Sequence, residues 1–212
     1  MLKLVVFDCD GVLFDSREAN RVYYNDLLEY FSCPPMSMEE LEYVHMHNVA
    51  DSIHYIFRNH EQISREAVSS YSQSLDYTPY LRHMQMAPDL KDFLRSITPH
   101  CHRAISTNRT TSMDMILDIF DLRKHFEIVM TAANAPRPKP APDALHVILD
   151  HFQLRPDEAV FIGDSTVDQA HSAAAGVDLI AFGNPTLEAR WHVSTFMEIL
   201  DLPPFAALEL QS

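Results

Sequence analysis

Two carboxylates, Asp8 and Asp10, stand almost at the start of the chain, with one residue between them and Gly11 directly after. Acids this close repel one another unless a positive charge lies between them, and a divalent metal ion supplies one. One carboxylate can then attack an electrophile while its neighbour moves protons. A lone Asp-x-Asp is better read as a turn, so the meaning of this pair depends on partners elsewhere. Thr107-Asn108 offers a hydroxyl and backbone N–H groups ahead of a helix, which suits an N-cap or an anion site. Lys139 lies in Pro138-Lys139-Pro140-Ala141-Pro142-Asp143, where prolines on both sides stiffen the backbone that aims its ammonium. Gly163-Asp164-Ser165-Thr166-Val167-Asp168 sets two acids one helical turn apart, a spacing that suits Mg²⁺ held by carboxylates and water. Ser165 and Asp168 also fit a capping box, whereas Asp164 has no such structural reason.

Hydrophobic patterning supplies the elements that must hold these groups. Leu4-Val5-Val6-Phe7 reads as a buried strand ending at Asp8. Short strands are also expected at Arg103–Thr107, Ile128–Met130, Ala159–Gly163 and Leu179–Ala181. Helices between them are marked by Leu90/Phe93/Leu94/Ile97, Met113/Ile116/Leu117/Phe120 and Leu145/Ile148/Leu149/Phe152, and a small-residue face by Ala170/Ala173/Ala174. Alternating strands and helices imply right-handed crossovers and a doubly wound parallel sheet, with chemistry at the carboxyl ends of the strands. Asp8, Thr107 and Asp164 all fall there.

Ser16 to about Ala87 has helical spacing only, in Val22/Leu27/Tyr30/Phe31, Ile53/Ile56/Phe57 and Val68/Tyr71/Leu75. The expected organisation is a discontinuous α/β core, residues 1–16 and 87–212, with an all-helical cap domain at 17–86 that moves about a hinge at Ala87-Pro88. After Gly183, Trp191, Val193, Phe196 and Leu200 should pack on the sheet edge, and Pro203-Pro204 should begin a loosely held tail.

Taken together, Asp8-x-Asp10-Gly-Val-Leu-x-Asp-Ser, Thr107-Asn108, Lys139-Pro-x-Pro-Asp and Gly-Asp164-Ser-x-x-Asp168 resemble the haloacid dehalogenase-like hydrolase superfamily in order and spacing. Their phosphatase branch, which includes phosphoglycolate phosphatase and β-phosphoglucomutase, is the most similar. The resemblance covers the core and constrains the cap only in position and helical character. It implies a Rossmann-like core. It implies Asp8 as a nucleophile that becomes an aspartyl-phosphate and Asp10 as the acid and base. Thr107, Asn108 and Lys139 would then bind substrate. Mg²⁺ would sit on Asp8, the Asp10 carbonyl and Asp164, with Asp168 ligating or orienting a bound water. One departure is Ala135-Pro136-Arg137, where many members carry glycine before the lysine loop.

The implied activity is hydrolysis of a small phosphorylated metabolite, with a phosphosugar mutase as the alternative. A dehalogenase would need neither Asp10 nor the metal acids. A phospho-receiver domain would carry adjacent acids after the first strand and its phosphoacceptor on a later one. Arg109 and Arg137 lie near the site loops, as anion attractors or as solvated loop residues. His45, Met46, His47 and His54 lack the acid or cysteine that would complete a metal site.

Composition narrows the partners. Sixteen basic against thirty acidic residues give a net charge of −14, which argues against nucleic acid and requires locally placed cations for an anionic substrate. No apolar run reaches membrane-spanning length, and the chain enters a strand at once, so no signal peptide is expected. Cys9, Cys33 and Cys101 show no disulfide spacing, so a reducing cytoplasm is the expected compartment. Cys9, flanked by acids, reads as a packing residue. Only four glycines occur, and Gly11 and Gly163 adjoin candidate acids.

Overall fold

Leu4–Phe7 (β1) is buried at every position and runs through the middle of a six-stranded parallel sheet. The computed structural model describes residues 1–110 and 112–208. The chain divides into two compact units, one of Met1–Phe14 with the chain from Met86 onward, the other Asp15–Gln85. The chain crosses between them in two dipeptide strands, Phe14–Asp15 (β2) and Gln85–Met86 (β3), which pair with each other.

The other strands of the large sheet are His102–Ser106 (β4), Ile128–Met130 (β5), Ala159–Gly163 (β6), Asp178–Phe182 (β7) and Trp191–Val193 (β8). Their order is β5-β4-β1-β6-β7-β8. The chain therefore winds outward from β1 in one direction, returns, and winds outward again from β6. That reversal opens a crevice beyond the carboxyl ends of β1 and its neighbours. Register is parallel throughout, with Phe7 opposite Ile105 on one side and Ile162 on the other.

Alternation along β1 divides the core between the two faces of the sheet. Leu4 and Val6 face Ala144, Leu145, Ile148 and Leu149 of the helix Asp143–Phe152. Phe7 packs edge-on against Phe93 (ring centroids 6.1 Å apart), from the helix Leu90–Ile97, and lies 6.1 Å from Phe196. The helix Ser112–Ile119 buries Met113, Ile116 and Leu117.

Two details correct the reading of the pattern. The helix after Asp164, Thr166–Ala175, buries Val167, Asp168, His171, Ser172 and Ala175, while Ala170, Ala173 and Ala174 are exposed. The inward face is set by polar residues with buried partners, which a hydrophobicity pattern discounts. The tail is not loose as far as it is described. Pro203–Ala206 forms a helical turn whose Phe205 is fully buried and 5.9 Å from Phe93. Residues 209–212 of that tail lie outside the described residues. Trp191 and Val193 add a sixth strand at the sheet edge.

The second unit is helical, with helices at Arg17–Tyr30, Met38–Met46, Val49–Ile56 and Arg65–Ser74. The second of these was not evident from spacing. It is secured by a capping box in which Ser37 and Glu40 exchange hydrogen bonds with each other's backbone. Tyr23, Tyr24, Leu27, Leu41, Ile53, Phe57 and Val68 form its core. Among the described residues no helix is long and apolar enough to cross a membrane.

Candidate active site

The site is built at the carboxyl end of the central strands, where Asp8, Thr107 and Asp164 are each the first residue past a strand. Asp8 continues the β1–β6 ladder by one rung, its N–H donating to Ile162 O at 2.9 Å. Thr107 does the same beyond β4, donating to Met130 O at 2.9 Å. Asp164 follows β6, and the Ser165 hydroxyl starts the helix that carries Asp168. These positions are dictated by register, and they leave side chains in the crevice.

Lys139 joins the acids. Its ammonium lies 2.8 Å from Asp8 Oδ1 and 2.6 Å from Asp168 Oδ1, and all three side chains are buried. Asp168 is fully engaged, because its Oδ2 also accepts the Ser165 hydroxyl (2.7 Å) and the N–H groups of Asp164 and Ser165 (3.2 Å each). The capping box and the site are thus the same carboxylate. Asp8, Asp164 and Asp168 each offer an oxygen, and these oxygens lie within 4.8 Å of one another.

Such crowding needs room and charge. A Cβ on Gly11 would fall 1.9 Å from Asp164 Oδ2, so only glycine lets that carboxylate approach, and φ +78° there favours glycine independently. A Cβ on Gly163 would lie 2.5 Å from the Asp168 side chain. Burial, then the charges of Asp168 and Asp10, pushes the Asp8 carboxyl up to about 7 against the pull of Lys139. Burial, then Asp168 and Asp8, pushes Asp164 up to about 8. Burial disfavours the Lys139 ammonium, but Asp168 and Asp8 outweigh it and hold its pKa above that of a free lysine. Burial and then the Asp10 charge raise the Cys9 thiol, which fits a packing role.

Asp10 is held from the other side. Arg109 Nη2 lies 2.6 Å from Asp10 Oδ1, with both side chains nearly buried, and the Arg109 N–H donates to Thr107 Oγ1 at 3.1 Å. Arg137, by contrast, pairs with Asp143 at 2.8 Å on the surface. The Asn108 side chain turns to the lysine loop, donating to Lys139 O (3.2 Å) and accepting from Lys139 N–H (2.9 Å). Neither Thr107 nor Asn108 caps the next helix, which begins at Ser112. Sequence reasoning left Arg109 undecided and missed His171 and Ser106. Their only signal was polarity at positions that the helix and strand periods turn inward.

With every group ionised, the four acids would exceed the two cations by two negative charges, and the raised Asp8 and Asp164 values reflect burial together with that excess. Hard carboxylate oxygens with this excess fit a divalent cation. Asp8 and Asp164 are the side chains suited to hold it, whereas Asp168 is already committed to Lys139 and the helix cap.

Comparison with known proteins agrees with this arrangement. A model of the haloacid dehalogenase-like hydrolase family matches residues 5–182, and the chain belongs to that family. A solved hydrolase of the same superfamily, subfamily IA, from Geobacter sulfurreducens is 35% identical. Its TM-score is 0.82, and the match covers 95% of this chain and 99% of the other. A phosphoglycolate phosphatase of Chromobacterium violaceum is 25% identical across 95% of this chain and 96% of its own length. A phosphorylated carbohydrates phosphatase of Thermotoga maritima is 23% identical, covering 84% of each.

Proposed function

We propose that this chain is a Mg²⁺-dependent phosphatase that hydrolyses a small phosphorylated metabolite through an aspartyl-phosphate on Asp8. Hydrolysis of phosphoric monoesters is supported by the family and by relatives named as phosphatases. The observation that carries the mechanism is the Lys139 ammonium set between Asp8 and Asp168 inside a buried carboxylate cluster. Phosphoryl transfer needs alignment and charge neutralisation more than elaborate covalent chemistry.

Asp8 attacks phosphorus, and the bond to the leaving oxygen breaks as Asp10 supplies a proton. Asp10 then takes a proton from water, which attacks the aspartyl-phosphate and releases phosphate and Asp8. Thr107 and Lys139 hold the phosphoryl oxygens, and Asn108 keeps the Lys139 backbone in place. Asp8, the Asp10 carbonyl and Asp164 would hold Mg²⁺, with Asp168 orienting the lysine and a bound water. When bound, the cation neutralises charge between the nucleophile and the phosphoryl group. Substrate choice is assigned to the helical unit Asp15–Gln85, inserted directly behind Asp8 and Asp10.

Acid-quench labelling with radioactive nitrophenyl phosphate tests the assignment. Asp8→Asn should lose turnover by about 10⁵-fold or more and take no label. Asp10→Asn should lose about 10²–10⁴-fold and accumulate label on Asp8, because nitrophenolate leaves without a proton while hydrolysis still needs a base. Equal label in both variants, or label on Asp10, would show that another group is the nucleophile. A panel containing phosphoglycolate and sugar phosphates then identifies the substrate.

A further inference from the structure

Lys139 reaches the acids from an irregular loop, so something must hold that loop still. Between Pro138 and Pro142 the chain has two backbone N–H groups, those of Lys139 and Ala141. The first donates to Asn108 Oδ1 and the second to Pro138 O at 3.1 Å. Asn108 takes the Lys139 carbonyl, and the Ala141 carbonyl is 2.6 Å from Nδ1 of His171. A carbonyl only accepts, so Nδ1 carries the imidazole proton and Nε2 is left as an acceptor. That acceptor receives the Ser106 hydroxyl at 3.0 Å. Ser106 is the last residue of β4, two positions before Asn108.

Both braces of the loop therefore end on one strand terminus, Asn108 directly and Ser106 through the imidazole. Asp168 and His171 are three residues apart on one helix, hence on the same face. That face receives the lysine's ammonium at one residue and its loop's carbonyl at the other. His171 is fully buried, with its ring edge-on to Phe161 at 5.4 Å, and the Lys139 ammonium lies 5.6 Å from that same Phe161 ring. Burial, with the Lys139 charge, lowers its pKa to about 4, consistent with the neutral form that the two hydrogen bonds require.

We infer that His171 is a positioning residue for Lys139, fixing where the loop delivers the ammonium by bracing the Ala141 carbonyl against Ser106. This rests on the phosphatase reading of Lys139. Two variants separate the brace from bulk. His171→Leu removes the donor, and His171→Asn retains an N–H near the position of Nδ1. In the Mg²⁺-loaded enzyme, His171→Leu should speed hydrogen exchange of the Lys139 and Ala141 amides by roughly tenfold or more. Its kcat for nitrophenyl phosphate should fall roughly 10–100-fold, more than KM rises. His171→Asn should recover most of both, and Ser106→Ala should reproduce the loosening in part, which carries the test if the leucine variant does not fold. Unchanged exchange at the two loop amides would overturn the inference. So would equal loosening of the Asp168 helix, or a loosened loop with normal kcat while Lys139→Met is impaired. If Lys139→Met itself turns over normally, the functional reading of Lys139 fails, and the exchange data still judge the brace.

Discussion

The two ends of the large sheet use the same residue types to opposite effect. At the amino end, Lys3 pairs with Glu158 at 2.7 Å, and Glu127 takes His102 at 2.7 Å and Arg103 at 3.2 Å. Lys3, His102, Arg103 and Glu127 line an open cavity of about 450 Å³, and the Lys3 and His102 side chains are about half exposed to water. At the carboxyl end four acids meet Lys139 and Arg109, with Asp8, Asp168 and both cations buried and Asp10 and Asp164 partly so. Surface pairs contribute little and are easily replaced. Buried acids in excess of their cations cost stability, and a fold retains them where the missing charge arrives with a ligand.

Breaking the buried end should therefore be expensive. Lys139→Met is expected to lower turnover by about 10²–10³-fold, the usual cost of removing one charge-stabilising donor, and to lower the melting temperature as well. A variant with near-normal kcat would erase the contrast between the ends. Next in size is acid sensitivity. His171 is neutral in the fold with its pKa lowered to about 4, while in the unfolded chain it binds a proton near 6.5. The unfolded state thus binds more protons between those values, so this stability is present above pH 6.5 and is lost as pH falls toward 4. The amount is about 3 kcal/mol, and His171→Asn should lack it in denaturant titrations across that window.

A comparable gain should come from supplying the missing charge. Mg²⁺ at 100 times its Kd should raise unfolding free energy by about 3 kcal/mol, and Asp164→Asn should abolish the response. Chelator-treated protein that melts at the same temperature with and without Mg²⁺ would remove the metal from this account. The smallest effect belongs to the other end. Lys3→Met should leave turnover unchanged and shift the melting temperature by no more than about 2 °C, checked by calorimetry and the same assay.

The elements were readable wherever burial and polarity agree. Leu4–Phe7, Ala159–Gly163 and the helices at Leu90 and Leu145 declare themselves because their apolar residues recur with the period of the element. The pattern misled where polar residues face inward. The helix of Asp168 turned Asp168, His171 and Ser172 to the core and left Ala170, Ala173 and Ala174 outside. The helix Met38–Met46 has a weakly apolar face and is recognised by its capping box.

The sequence by itself determined which groups stand at strand ends, because strand length and the acid or threonine just beyond it are local facts. Asp8, Thr107 and Asp164 needed nothing more, whereas Gly11 and Gly163 stood out only as rare glycines beside candidate acids, and the carboxylates that a side chain there would strike appear only in the fold. Only the tertiary structure decided who partners whom. Lys139 bridges Asp8 and Asp168, 131 residues and 29 residues away in the chain, and Arg109 reaches back 99 residues to Asp10. Such pairings depend on strand order and on the placement of loops in three dimensions. Charge has no periodicity along a chain, so the pairing of buried ions appears only once the sheet has brought the ends of its strands together.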